Sequence, residues 1–405
     1  MHPKPTLPFH EYLLRISLIC LFLLGGLAYH AHADFPVGIS ETEIRIGQSC
    51  ALTGPVMGLG TAMRDGARLY FAYINSQGGI HGRKINLITL DDGYNPETCK
   101  TNTETLIRKE KVFLLFGYVG TPTTQAALPL LRETGTPLFA PVTGAEMFRN
   151  PVSREVFNIR ASYFQETEAM VDRLIHDRQL RRIAVFYQND AYGEDGLNGV
   201  RRATAKYGLS PVATVSYDRT QPEINTALAL LMKENPDAVI LVGSTEPCAQ
   251  LISGMRAAGS EALFLNVSFV NGDHLARQLA NDGVGVVVTQ VVPFPFYKRI
   301  PVVAEYNRLA AELSPDTEPS FAGMEGFMAA KALCRVLEES PPTLTREDFI
   351  QTAQAQRDTD IGGFTVSFSQ DLHQGGNLVY LTQIGPGGFL RPLENLGQLY
   401  PFFRN

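Results

Sequence analysis

Two threonines stand where apolar runs give way to helical patterns. FGYVGTPTTQ (116–125) sets Thr121 before Pro122, and PLFAPVTGAE (137–146) sets Thr143 before Gly144, with Glu146 three residues on. Each apolar run reads as a strand and each following segment as a helix start. A hydroxyl there, beside backbone N–H groups that have no partner in the first turn, suits a carboxylate or another electron-rich group. Thr121 is expected as an N-cap with Pro122 in the first helical position, where a missing N–H costs nothing. Thr143 and Glu146 have the spacing of a capping box. One such threonine more often only finishes its helix. Two on neighbouring strand ends point to a site, because ligands of open α/β sheets gather there.

Other chemistries find little support. Gly58-Leu59-Gly60 resembles half of a dinucleotide fingerprint, but Met63 occupies the third glycine position. GxxxxGK, HExxH, GxSxG and SxxK are absent, and His81, His176, His274 and His373 are scattered without a nucleophile beside them. The expectation is a binding protein without cofactor or catalytic residues. Of the five cysteines, Cys20 lies near the N-terminus, and none of the others has CxxC spacing. Cys50 and Cys99 follow adjacent strands and form a candidate disulfide in an oxidising compartment, the other reading being buried free thiols. Cys248 and Cys334 sit in apolar helical stretches and read as core.

The positioning elements alternate regularly. EIRIGQS (43–49), INLITL (85–90), VFLLFG (112–117) and PLFAPV (137–142) are strand-like, and Met63, Ala67, Tyr70 and Ile74 form one apolar helical stripe ending before Gly78-Gly79. Past Arg160 the alternation restarts with 181–190, 211–217, 238–244, 262–269 and 283–292 as strands. Apolar strands between amphipathic helices indicate parallel sheets covered on both faces, and two successive sets imply two lobes of like architecture. Two helices follow at 302–313 and 323–338, and FTVSFS and LVYLTQI read as a closing hairpin.

The chain of 405 residues carries a net charge of −6, which disfavours nucleic acid or an anionic membrane as partner. Lys4 and Arg15 precede an apolar run from Ile16 to Leu27, and Ala31-His32-Ala33 has the small-x-small pattern of a signal-peptidase site. Residues 1–33 are therefore expected to be a signal peptide cleaved after Ala33, and the product to be exported.

IGQSCALTGP, INSQGGIHGRKINLITLDDGYNP, FGYVGTPTTQAALP and VFYQNDAYGEDG together resemble the type I periplasmic solute-binding proteins of ABC transporters, in the branched-chain amino acid and amide-binding branch. The resemblance spans Glu43 to about Ile384. It implies two Rossmann-like lobes, 34–159 plus 292–361 and 160–291 plus 362–405, joined by three crossings near Asn158–Ala161, Gln290–Phe294 and Asp360–Phe364. It also implies a small solute gripped by hinge closure, a periplasmic monomer, and a membrane permease as partner, with a receptor kinase as the alternative. Thr121, Thr143 and Gly144 fall on the carboxylate-binding loops, and Tyr192 matches a pocket tyrosine. Tyr118 and Phe269 would add stacking surface, although each aromatic also fits a core. Leu59 and Ser244 replace pocket aromatics. Ser268 stands where amino acid binders place a glutamate for the ammonium, unless Asp190, Glu246 or Glu325 substitutes. An amino acid, a carboxylate lacking the amine, an amide or an aromatic solute all remain candidates.

Overall fold

The computed structural model describes residues 35–400; the expected signal peptide and its cleavage position lie outside the described residues. The first set of elements is β1 (Glu43–Cys50), α1 (Met57–Ser76), β2 (Lys84–Asp91), α2 (Pro96–Glu104), β3 (Leu114–Phe116), α3 (Thr121–Thr134), β4 (Leu138–Phe139) and β5 (Val156–Phe157). Its strands form one parallel sheet in the order β2-β1-β3-β4-β5. The second set is α4 (Tyr163–Arg178), β6 (Ile183–Gln188), α5 (Ala191–Ala205), β7 (Ala213–Tyr217), α6 (Asn225–Glu234), β8 (Ala238–Val242), α7 (Thr245–Ala257), β9 (Leu263–Asn266), α8 (Gly272–Leu279) and β10 (Val287–Gln290). The chain closes with α9 (Pro301–Leu313), α10 (Phe321–Glu339), α11 (Arg346–Ala355), β11 (Thr359–Asp360), β12 (Thr365–Val366), β13 (Tyr380–Ile384) and β14 (Leu390–Leu393). The second sheet runs β14-β13-β10-β9-β8-β6-β7, parallel from β7 to β10 and antiparallel at β13 and β14.

The α/β architecture with two lobes is as the sequence implies. In α1 the expected stripe of Met63, Ala67, Tyr70 and Ile74 is buried. It packs on α10 so closely that a Cβ on Gly66 would lie 1.9 Å from the Gly323 carbonyl oxygen. Only glycine permits that approach, and it ties residues 321–339 to the first lobe. The strand order reverses at β1 and β3 in the first sheet and at β6 and β8 in the second. Such switch points open crevices at the carboxyl ends of strands.

One expectation fails. FTVSFS and LVYLTQI are not a hairpin with each other: β12 pairs with β11, and β13 pairs with β10 and β14. Phe368 and His373, placed in the second lobe by a boundary at 361/362, pack on Phe157 of the first sheet, His373 stacked at 4.1 Å. Ring stacking on the sheet holds this stretch until Gln374, which bridges to Asn158.

Candidate functional site

The first wall of the crevice is shaped by backbone. Gly120 precedes α3 with φ +102°, a conformation that L side chains rarely adopt. An added Cβ would strike the Tyr94 ring at 2.3 Å. Gly120 is therefore the N-cap, and Thr121 is the first helical residue rather than the cap. Its hydroxyl is freed from capping and bonds the Thr143 hydroxyl at 2.7 Å, both residues fully buried. The Thr143–Glu146 capping box does not form. Thr143 Oγ1 accepts the Ala145 N–H, and the Glu146 N–H turns across the crevice to Asp195 Oδ1 at 3.1 Å. The helix there is a single 3-10 turn, Glu146–Phe148, too short for the box. Gly144 lies against Tyr163, whose ring an added Cβ would meet at 2.5 Å.

The second wall is aromatic and charged. Tyr192 is buried, its hydroxyl donating to the Gly243 carbonyl, with Phe269 at 4.8 Å and Tyr163 at 5.2 Å between ring centroids. Phe269 also touches Tyr94 of the first lobe at 5.9 Å. Gln188 Nε2 donates to Tyr94 Oη at 3.1 Å, and Arg219 Nη1 to its carbonyl at 2.8 Å. The lobes thus stand closed on one another. Ser244 borders this wall, its N–H donating to the Tyr217 hydroxyl at 2.8 Å.

At the first crossing, Arg160 is almost wholly buried. It lies 3.6 Å from Glu166 and 3.5 Å from Glu325, and Nη2 donates to Ser268 Oγ. Glu166 accepts the Ser268 N–H at 2.7 Å, its hydroxyl at 2.9 Å and the Thr289 hydroxyl at 2.5 Å. Burial opposes the charge of Arg160, but the Glu325 and Glu166 carboxylates outweigh it and raise its pKa. Burial pushes the carboxyl of Glu325 above its ordinary range, against the pull of Arg160. Arg149, also buried, is lowered to about 10 by burial and by Arg160. Tyr163 is pushed up to about 12 by burial, with Arg160 opposing. Among the described residues, Arg160 Nε and Tyr163 Oη are buried without a hydrogen-bond partner. A cavity of ≈ 20 Å³ is lined in part by Leu59, Val142, Ser268, Phe321 and Glu325. Larger hollows of ≈ 840 and ≈ 920 Å³ lie elsewhere, around Arg68 and Lys84 and around Arg154 and Glu347, away from the crevice.

Of the expected residues, Thr121, Thr143, Gly144, Tyr192, Phe269, Ser268, Ser244 and Leu59 border the crevice or its cavity. Tyr118 does not. Its hydroxyl meets Thr103 of α2 at 3.0 Å inside the first lobe, because Gly117, at φ +60°, redirects the chain. Cys50 and Cys99 are buried free thiols rather than a bridge; Cys50 Sγ faces the Gly60 carbonyl at 3.7 Å. Cys248 and Cys334 are core, as expected. Asp190 caps α5 and pairs with Arg219 at 3.5 Å, while Glu246 is exposed and bonds Gln250 and Gln278. Of the three possible substitutes for a missing carboxylate, only Glu325 reaches the cavity. Sequence reading missed Arg160, Glu166, Tyr163 and Tyr94. One signal was present: Ser162 and Gln165 have capping-box spacing and do form that box at the start of α4, which places Arg160 just outside a helix end.

Comparison with known proteins gives one consistent picture. The family model for periplasmic binding protein matches residues 43–388. A Brucella melitensis protein, Leu/Ile/Val-binding protein homolog 3, is 26% identical over 272 residues, 66% of this chain and 66% of that one. The chain thus spans just under two thirds of that relative's length. A crystal structure of a possible leucine/isoleucine/valine-binding protein from Rhodopirellula baltica superimposes with a TM-score of 0.83 at 33% identity, covering 90% of this chain and 99% of that one. A substrate-binding periplasmic protein from Ralstonia solanacearum gives a TM-score of 0.81 at 33% identity, covering 87% and 100%.

Proposed function

The chain belongs to the periplasmic binding protein family, a family of binding proteins rather than enzymes, and on that premise we propose that it captures a small organic solute between its lobes and delivers it to the permease of an ABC transporter. Export would use residues 1–33, removed after Ala33. One observation carries the reading: a wall of buried hydroxyls at Thr121 and Thr143, with Tyr94 beside it, faces the Tyr163, Tyr192 and Phe269 rings across closed lobes. A pocket with apolar walls and a few convergent polar groups is how small solutes are held and oriented. Closure is favoured by a solute that only the shut form touches from both sides.

Thr121, Thr143 and Gly144 would receive the polar end of the solute, with Ser268 and Ser244 at the margins. Tyr192, Phe269 and Leu59 would bound its apolar part. The lobe division at 159/160 and 291/292 is supported by the two sheets. The third boundary is better drawn after Gln374, given the packing of Phe368 and His373.

The test begins with a thermal-shift screen of amino acids, carboxylates, amides and aromatic compounds, since a solute selective for the folded state raises the melting temperature. Calorimetry on a solute so found should show Thr121→Ala weakening affinity by about 1–3 kcal/mol, the cost of one buried hydrogen bond, with little change in melting temperature. Unchanged affinity would remove Thr121 from the site, and a screen without any hit would end the capture reading.

A further inference from the structure

We propose that Tyr94 is a clasp by which the second lobe holds the first shut, so that Tyr94, Gln188 and Arg219 set how tightly any solute is kept without touching it. The consequence for solutes rests on the capture reading above, to which it adds three positioning residues.

The segment that carries Tyr94 is built to present it. In DDGYNP (91–96), Asp91 Oδ1 accepts the Leu52 and Thr53 N–H groups at 2.8 and 3.2 Å, and Oδ2 the Thr53 hydroxyl at 2.7 Å. These bonds pin the loop beside the end of β1. Asp92 is buried and held by Ser49, and its Oδ1 accepts the Tyr94 N–H at 2.9 Å. Tyr94 stands at φ +63°, a left-handed conformation rare for a bulky residue. Asn95 then starts α2 as its N-cap, with Pro96 behind it. A backbone so strained persists only where its surroundings hold it. The strain sets a wholly buried first-lobe ring against Phe269 of the second lobe.

The second lobe grips that residue from the ends of β6 and β7. Gln188 Nε2 donates to Tyr94 Oη at 3.1 Å and to Asp190 Oδ2 at 2.6 Å, while its Oε1 accepts the Tyr217 hydroxyl at 3.1 Å. Arg219 Nη1 donates to the Tyr94 carbonyl at 2.8 Å, and the guanidinium carbon lies 5.4 Å from the ring centroid. Arg219 also pairs with Asp190 at 3.5 Å. Tyr94 is thus held at hydroxyl, ring and carbonyl, and the gripping side chains brace one another through Asp190. Every bond of the grip lies within this chain, so it favours the shut form whatever the solute. A solute that needs the shut form has an apparent dissociation constant divided by the fraction of chains shut. Weakening the grip therefore changes affinity for all solutes by one factor, whereas a residue that touches the solute changes it unequally.

Spin labels on Lys100→Cys and Gln221→Cys, exposed positions in the two lobes, report the lobe separation, since the native cysteines of the described residues are buried. The free protein is expected to show a short and a long separation. Tyr94→Phe and Arg219→Ala should each move population from short to long. Tyr94→Phe keeps the ring and leaves Gln188 Nε2 its bond to Asp190, so the fold is retained. It should weaken every solute found by the thermal-shift screen by a common factor of about fivefold, the scale of one hydrogen bond. Arg219→Ala should weaken them by about tenfold or more, because it removes a charged donor and a cation over the ring. A free protein with only the long separation, or a short separation that either substitution leaves in place, overturns the proposal. So do factors that differ among solutes, which would put Tyr94 in contact with the solute. If the screen finds no solute, the capture reading falls while the label separations still decide the clasp.

Discussion

The two walls of the crevice are built by different means. On the first, backbone decides: Gly120 at positive φ and Gly144 against Tyr163 set where two small hydroxyls stand, and no charge is needed. On the second, side chains decide: aromatic rings interlock, and Arg160 and Glu166, met by Glu325 from the first lobe, form a buried charge cluster. The first wall should tolerate changes of hydroxyl and resist any change of backbone shape. The second should tolerate small shifts in backbone and resist loss of a charge, since a lone buried ion has little to relax into.

The largest expected effect breaks the second wall. Glu166→Ala removes the acceptor of Ser268 and Thr289 and one counter-charge of Arg160, and should cost about 3–5 kcal/mol in urea unfolding, as for other broken buried pairs. A loss under ~1 kcal/mol would mean that the cluster is solvated and the contrast between the walls mistaken. Next, Gly120→Ala forces a Cβ onto Tyr94 and a strained φ, a cost of about 1–3 kcal/mol. Because Tyr94 is clasped by the second lobe, this variant should lose solute affinity as well as stability, whereas Thr121→Ala should lose affinity alone.

A smaller effect lies at the rim where the walls meet. Asp195 of α5 bonds the Glu146 N–H, its Oδ2 is buried without a partner, and its pKa is pushed from 3.8 to about 7 by burial and by the charge of Glu146, with Arg149 opposing. A carboxyl raised in the folded, closed form stabilises it fully below pH 3.8, and that stability is lost as pH rises to about 7. Asp195→Asn should flatten the slope of melting temperature against pH between those values; an unchanged slope would place the titration elsewhere. The smallest expected effect is none: thiol titration of the unfolded, unreduced protein should detect Cys50, Cys99, Cys248 and Cys334 free, and a reductant should leave the melting temperature where it was.

Much of this was legible in the chain. Apolar strands alternating with amphipathic stripes such as Met63–Ala67–Tyr70–Ile74 declare covered parallel sheets, and Thr121 and Thr143 at adjacent strand ends declare a wall of hydroxyls. The detail of their caps was not legible, because Gly120 assumes the N-cap through a backbone angle set by Tyr94 packing. Tyr118 misled for a similar reason: one glycine turn separates facing the crevice from facing α2. Ser268 misled most usefully. Its type suggests that a charge is missing there, yet its N–H and hydroxyl seat Glu166 from 102 residues away, and a glutamate at 268 would face that carboxylate at contact distance.

By itself the sequence determined the class of the fold, the alternation of its main strands and helices, and which loops end at the crevice. These follow from local periodicity and turn residues, which act over a few positions along the chain. Tertiary structure alone decided which groups in the crevice remain unpaired. Arg160, Glu166 and Glu325 are brought together by hinge and sheet across 165 residues, and whether a buried donor has an acceptor depends on every neighbour that folding delivers to it.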